Sequence, residues 1–244
     1  MPDPTIVPRR PRVRGAAPRS TTWWGRAFVR TFEETAYDES DLLAGRALAR
    51  SGRLGAIMVL PSMASAVVDP ETERAVMAQA KVAALPGEAW STFVDEAARE
   101  AGHVAALEAG DLPTALVEDA DQAGAEILPA PAEIETACEC DAWTQPCEHA
   151  LALLYQLAWQ LDGDPYVLTL LRGRAREWIL DEIESRLVAD PGPPYPGPHE
   201  RDDAMHRAAL LLALAEHAPS GHGLADSAVA AYDEAAAQLL DPGD

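Results

Sequence analysis

The sequence predicts a helix-rich α+β fold, a small antiparallel sheet with packed helices, and three observations carry that prediction. Apolar residues recur at helical spacing in several segments, first as Trp24, Ala27, Phe28, Thr31 and Phe32. Short runs rich in Val, Ile and Met, with turn residues between them, occupy the stretch from Ala56 to Leu85. A third segment, Cys147 to Leu161, is apolar nearly all round, as befits a buried helix.

In chain order, a helix is expected from Thr22, and a second from about Ser40 or Asp41 to Gly52, a fitting stop. Strands are expected at Ala56–Leu60, Ala64–Val68 and Ala75–Leu85. One long helix should follow over Gly87–Ala109, ended by Gly110, and a short one over Thr114–Ala123. Ile127, Pro129 and Pro131 mark an extended connector into a short strand, Glu133–Cys140. After the buried helix, Arg174–Leu187 reads as an amphipathic partner burying Trp178, Leu180, Ile183 and Leu187. A helical hairpin is expected at the C-terminal end, over Arg201–His217 and Leu224–Leu240.

These elements divide the chain into five parts. Residues 1–20, rich in Pro and Arg, read as a disordered basic arm. Residues 21–129 form an N-terminal α+β region, and 130–188 hold a cysteine-rich knuckle with its following helices. Residues 189–198 are a Pro/Gly linker, stiffened by its prolines, and 199–244 are the hairpin.

Composition narrows the function. Of the 244 residues, 48% are hydrophobic and 24% charged, which suits a packed globular chain rather than a disordered one. The net charge is −21, and residues 54–169 hold 20 acidic against 3 basic residues. Such a surface repels polyphosphate and disfavours anionic membranes. Any anionic partner would have to meet the N-terminal arm, where Arg9, Arg10, Arg12 and Arg14 cluster. Those arginines also occupy the place where a signal peptide keeps its apolar core, and the longest apolar stretches are too short to cross a bilayer. A cytoplasmic protein with reduced thiols is expected.

All three cysteines fall within ten residues: Cys138-Glu-Cys140, a six-residue gap, then Cys147-Glu-His149. Three thiolates and one imidazole complete a tetrahedral donor set for zinc. Cys138 and Cys140 lie two apart on a strand and so point to one side. Cys147 and His149 open the buried helix, where the N-terminal dipole favours thiolate. Trp143 and Pro146 should shape the knuckle and cover the metal. With four protein ligands no coordination position is left for water, so the zinc is read as structural.

Cys-x-Cys-x6-Cys-x-His followed at once by an apolar helix resembles the SWIM zinc finger, in the form found in actinobacteria. The resemblance extends to Thr22-Trp-Trp-Gly-Arg-Ala27, to Gly45-Arg-Ala-Leu-Ala-Arg-Ser-Gly52 and to Leu171-Arg-Gly-Arg-Ala-Arg-Glu177, spanning roughly residues 21–188. It implies a bacterial zinc-binding αβ module with a role in DNA binding or protein–protein contact. It also implies a helicase-like ATPase as partner, since relatives commonly sit beside or are fused to one. Glu148 stands where such fingers frequently carry Lys. With Glu133, Glu135, Glu139 and Asp141 it surrounds the site with negative charge.

Other signals favour structure over chemistry. Arg172, Arg174 and Arg176 flank Gly173, where salt bridges and caps are the expected use rather than phosphate binding. Trp23 and Trp24 share their spacing with Phe28, which points to core packing rather than base stacking. His199, Asp202, Asp203 and His206 lack a further strong ligand for a second metal. No motif selects a catalytic group, so no enzymatic activity is expected. The expected function is a zinc-binding interaction module docking a protein partner through acidic surfaces around residues 88–148. The alternative is a nucleic-acid-binding finger that uses the basic arm with Arg172, Arg174 and Arg176.

Overall fold

A computed structural model describes residues 4–15 and 20–189. Eight α-helices and one five-stranded sheet lie among them. The linker, the C-terminal hairpin, and His199, Asp202, Asp203 and His206 lie outside the described residues.

The sheet is an all-antiparallel meander in chain order, β1 (Thr5–Val7), β2 (Leu54–Leu60), β3 (Met63–Val68), β4 (Val76–Val82) and β5 (Ile134–Cys138). Three of these are the short Val/Ile/Met runs of the sequence: β2 and β3 start two and one residues earlier than expected, and β4 is shortened from Ala75–Leu85. Alternate residues such as Ile57, Val59, Ala64, Ala66, Ala78 and Ala80 face inward and are buried. The alanines keep the inner face shallow, which lets helices lie close on the sheet.

The helices are α1 (Trp23–Glu33), α2 (Glu39–Ala49), α3 (Gly87–Arg99), α4 (Ala101–Glu108), α5 (Thr114–Gln122), α6 (Glu148–Leu161), α7 (Tyr166–Leu171) and α8 (Arg176–Ala189). Helix α6 is the axis of the core, packed against α1, α2, α7 and the sheet. That position explains a helix with no polar face: from Ala150 to Trp159 every residue is buried. Gln156, the one amide in that run, donates to the Ala49 carbonyl at 2.7 Å.

Both ends of α6 are held. At its C-terminal end Asp162 accepts from the backbone amides of Thr21 and Thr22 and from the Thr22 hydroxyl. Thr22 in turn caps α1 by accepting from the Gly25 amide, and Trp24 Nε1 donates to the Leu161 carbonyl at 2.6 Å. The paired tryptophans are therefore structural: Trp24 is buried and Trp23 Nε1 donates to the Leu112 carbonyl. Near its N-terminal end, α2 lies against α6 so closely that a Cβ on Gly45 would stand 2.6 Å from Leu151 Cβ. Gly45→Ala is expected to pry the pair apart and cost about 2 kcal/mol, read as a lower urea midpoint at unchanged m-value. Unchanged stability would show that the two helices slide freely.

Four expectations need correcting. Residues 1–20 are not wholly a disordered arm, because Thr5–Val7 pair with Ile57–Val59 and build the sheet edge. Arg9 donates to the Gly52 carbonyl and pairs with Glu71, and the Val13 amide donates to the Arg50 carbonyl. The boundary at 129/130 does not separate two bodies either, since β5 pairs with β4 and one core spans both parts. The expected helix Gly87–Ala109 is two helices, with Glu100 extended between them. A continuous helix would turn His103 and Leu107 about a quarter-turn or more away from the Trp90–Ala97 stripe, and both are buried. Finally, α8 buries Ile179 and Ile183 rather than Leu180, while Leu187 is 44% exposed. Helix α7, wholly buried, carried no periodic signal.

Candidate metal centre

Four side chains converge where β5 runs toward α6. Cys138 ends the strand, beside Ala78 of β4. The ladder is prolonged past it by Glu139, whose amide donates to the Met77 carbonyl while its carboxylate accepts from the Met77 amide. This holds Cys138 and Cys140 on one side. Cys147 is the N-cap of α6, and its carbonyl accepts from the Leu151 amide. His149 follows in the first helical turn.

The donor atoms of Cys138, Cys140, Cys147 and His149 all lie within 4.8 Å of one another. Cys140 Sγ is 3.6 Å from Cys147 Sγ, which is 4.0 Å from His149 Nδ1. A tetrahedral zinc with ~2.3 Å bonds to sulfur sets its ligands about 3.8 Å apart, so the separations fit such an ion. Thiolate sulfur with imidazole nitrogen suits zinc better than a hard cation. Bound there, a zinc ion would tie the strand end to the helix start and leave one net negative charge. Among the described residues this is the one grouping of His, Cys, Asp and Glu close enough to hold a metal.

Burial pushes the Cys138 thiol up to about 12 and raises that of Cys147, and neighbouring sulfurs add to both shifts. Backbone amides oppose the rise: that of Cys140 faces Cys138, and those of Ala150 and His149 face Cys147. The helix start thus offers its unpaired donors to a sulfur, as the sequence suggested. His149 Nε2 lies 3.8 Å from Glu148, which leaves Nδ1 on the cysteine side.

Trp143 does not close over the cluster. It is 84% exposed and crosses Tyr37 edge-to-face at 5.5 Å, while Pro146 is buried. Beside the cluster runs a groove of about 450 Å³ whose far wall is Tyr37, Asp38, Ser40 and Asp41. No sequence signal tied those residues to cysteines a hundred positions later, apart from the polar start of α2. The packing of α2 on α6 brings them there.

The arginines considered for phosphate are engaged. Arg172 is 1% exposed, donates to the carbonyls of Ala83 and Glu126, and pairs with Glu133 at 3.0 Å. Arg174 lies over Trp178, and Arg176 lies over Tyr166 and donates to the Glu108 carbonyl.

The chain matches no family model and no solved structure. It is similar to a protein of Mycobacterium tuberculosis named uncharacterized protein Rv2102, 29% identical over 185 residues. The match covers 72% of this chain and 66% of that protein's length. Among the described residues no helix is long and apolar enough to cross a membrane.

Proposed function

We propose that the chain is a SWIM-type interaction module in which a structural zinc, held by Cys138, Cys140, Cys147 and His149, fixes a knuckle that docks a protein partner. The observation that carries this reading is the convergence of four protein donors at tetrahedral spacing on the start of a helix that is buried from Ala150 to Trp159. A complete donor set leaves no position for a reacting water, so the metal serves as scaffold and not in turnover. The surroundings favour a basic protein over a nucleic acid. Glu139, Asp141 and Glu148 stand beside the cluster, and Arg172 is committed to internal carbonyls. The Arg9 guanidinium of the arm is likewise taken up by Gly52 and Glu71. By the family resemblance, the partner is a helicase-like ATPase of the same cytoplasm.

Affinity capture with the zinc-loaded chain from native cells tests this, with Cys140→Ser as the comparison. A helicase-like ATPase should be recovered with the first and lost with the second. The reading fails if neither protein recovers one while the chain shifts DNA or RNA with a steep salt dependence, as a nucleic-acid finger would.

A further inference from the structure

The groove beside the metal cluster carries a specific recognition chemistry. Its carboxylates are Asp38 and Asp41 from the start of α2, and Asp141 and Glu148 from the knuckle. Among the described residues no Lys or Arg lines it, and neither the Asp41 nor the Asp141 carboxylate has a hydrogen bond or ion pair. The zinc centre would add a further negative charge next to it. The helix N-termini that open here do not offset this. Asp38 accepts from the Ser40 amide to cap α2, and the amides of His149 and Ala150 face the Cys147 sulfur.

Two large aromatics stand at the same place. Trp143 is 84% exposed and Tyr37 is 70% exposed, with rings crossed at 69°. Aromatic residues of this size at the rim of a polar groove mark contact sites more often than monomer surface. They also decide between cations. A guanidinium is planar, stacks on indole, and presents a fork of N–H donors to carboxylates, whereas an ammonium is a strongly hydrated point charge.

We infer that this groove receives an arginine side chain from a basic segment of the partner protein, stacked on Trp143 and paired with Asp41 and Asp141. The inference rests on the interaction-module reading and names the face that module presents. Charge complementarity with a chain of net charge −21 raises the encounter rate, and the aromatic stack confers the preference for arginine.

Calorimetric titration of the zinc-loaded full chain with a synthetic Gly-Arg repeat peptide, against Gly-Lys and Gly-citrulline counterparts, tests it. The arginine peptide should bind about tenfold tighter than the lysine one, and the uncharged citrulline peptide should not bind. Trp143→Ala, and separately the pair Asp41→Asn and Asp141→Asn, should each weaken arginine binding about tenfold. Zinc content should stay unchanged and the melting temperature should move by no more than a few degrees, because Trp143 and Asp141 are exposed and the half-buried Asp41 carboxylate has no side-chain partner to lose. No binding, equal binding of arginine and lysine peptides, or binding unchanged in both variants would overturn the proposal. So would displacement of the peptide by a single-stranded oligonucleotide from the same groove. The titration uses no partner, so its failure is separate from a failed capture.

Discussion

Stripping the zinc-loaded chain with a strong chelator is expected to loosen the knuckle between β5 and α6 and lower the unfolding free energy. A ligand that binds only the folded state stabilises it by about 4 kcal/mol when its free concentration exceeds Kd a thousandfold. Metal affinities of zinc-finger peptides, on the order of 10–16 kcal/mol, make that regime easy to reach. Cys147→Ser should be the most damaging ligand change. Its sulfur is buried and faces two helix amides, and Cys147 is the N-cap residue of the helix at the centre of the core. The expected result is one zinc per chain by elemental analysis, lost in Cys147→Ser together with several kcal/mol of stability in urea. Cobalt exchanged into the site should give the absorption of a tetrahedral sulfur-rich centre without a solvent ligand. A five-coordinate spectrum, or a melting curve indifferent to chelation, would refute the scaffolding role. The helices around Phe28, Phe32 and Leu154 bury enough apolar surface to persist as a collapsed core, so the loss should be sharpest at the knuckle amides in hydrogen exchange.

Arg172→Ala is expected to cost about 3 kcal/mol, as much as any substitution outside the metal cluster. The guanidinium satisfies the carbonyls of Ala83 and Glu126 and pairs with Glu133. Its own carbonyl accepts from the Leu85 amide at 2.9 Å and from Trp90 Nε1 at 3.3 Å. Truncation would leave two carbonyls unsatisfied, a cavity, and a carboxylate without its partner. Glu133 retains contact with solvent, which keeps the penalty at the lower end of the range for buried pairs. Arg172→Lys should recover only part of the loss, since an ammonium cannot span the same acceptors. Urea denaturation reads the effect. A loss below about 1 kcal/mol, with a simultaneous loss of nucleic-acid binding, would return Arg172 to the phosphate role that its burial argues against.

How far each feature was legible depended on the range of the interaction that makes it. The stripe Trp24, Phe28 and Phe32 and the greasy run of α6 could be read directly, because helical periodicity and burial are written within a dozen residues. The strands β2, β3 and β4 were legible for the same reason, as were their turns. The break at Glu100 was not. Its neighbours have good helical propensity, and the chain bends there only because His103 and Leu107 must turn to the core. Helix α7 escaped notice because six residues buried on every side leave no period to detect. The edge strand Thr5–Val7 was not legible, because three residues draw their stability from β2, some fifty positions away.

The candidate metal ligands illustrate the division most plainly. Donor type and spacing alone determined that Cys138, Cys140, Cys147 and His149 form one set, since all four lie within a dozen residues and strand and helix geometry aim them together. The amphipathic patterns likewise determined a helix-rich α+β core. Only the tertiary structure decided what surrounds that set. The parallel packing of α2 on α6, made close by Gly45, carries Tyr37, Asp38 and Asp41 to the knuckle and turns a bare ligand cluster into one wall of a groove. The tertiary structure also sent Trp143 outward to Tyr37 and drew Arg172 inward to two carbonyls. Local periodicity and ligand chemistry act over one turn of chain and are visible in order of residues. Which side chains share a surface depends on contacts between distant segments, and those exist only once the core has closed.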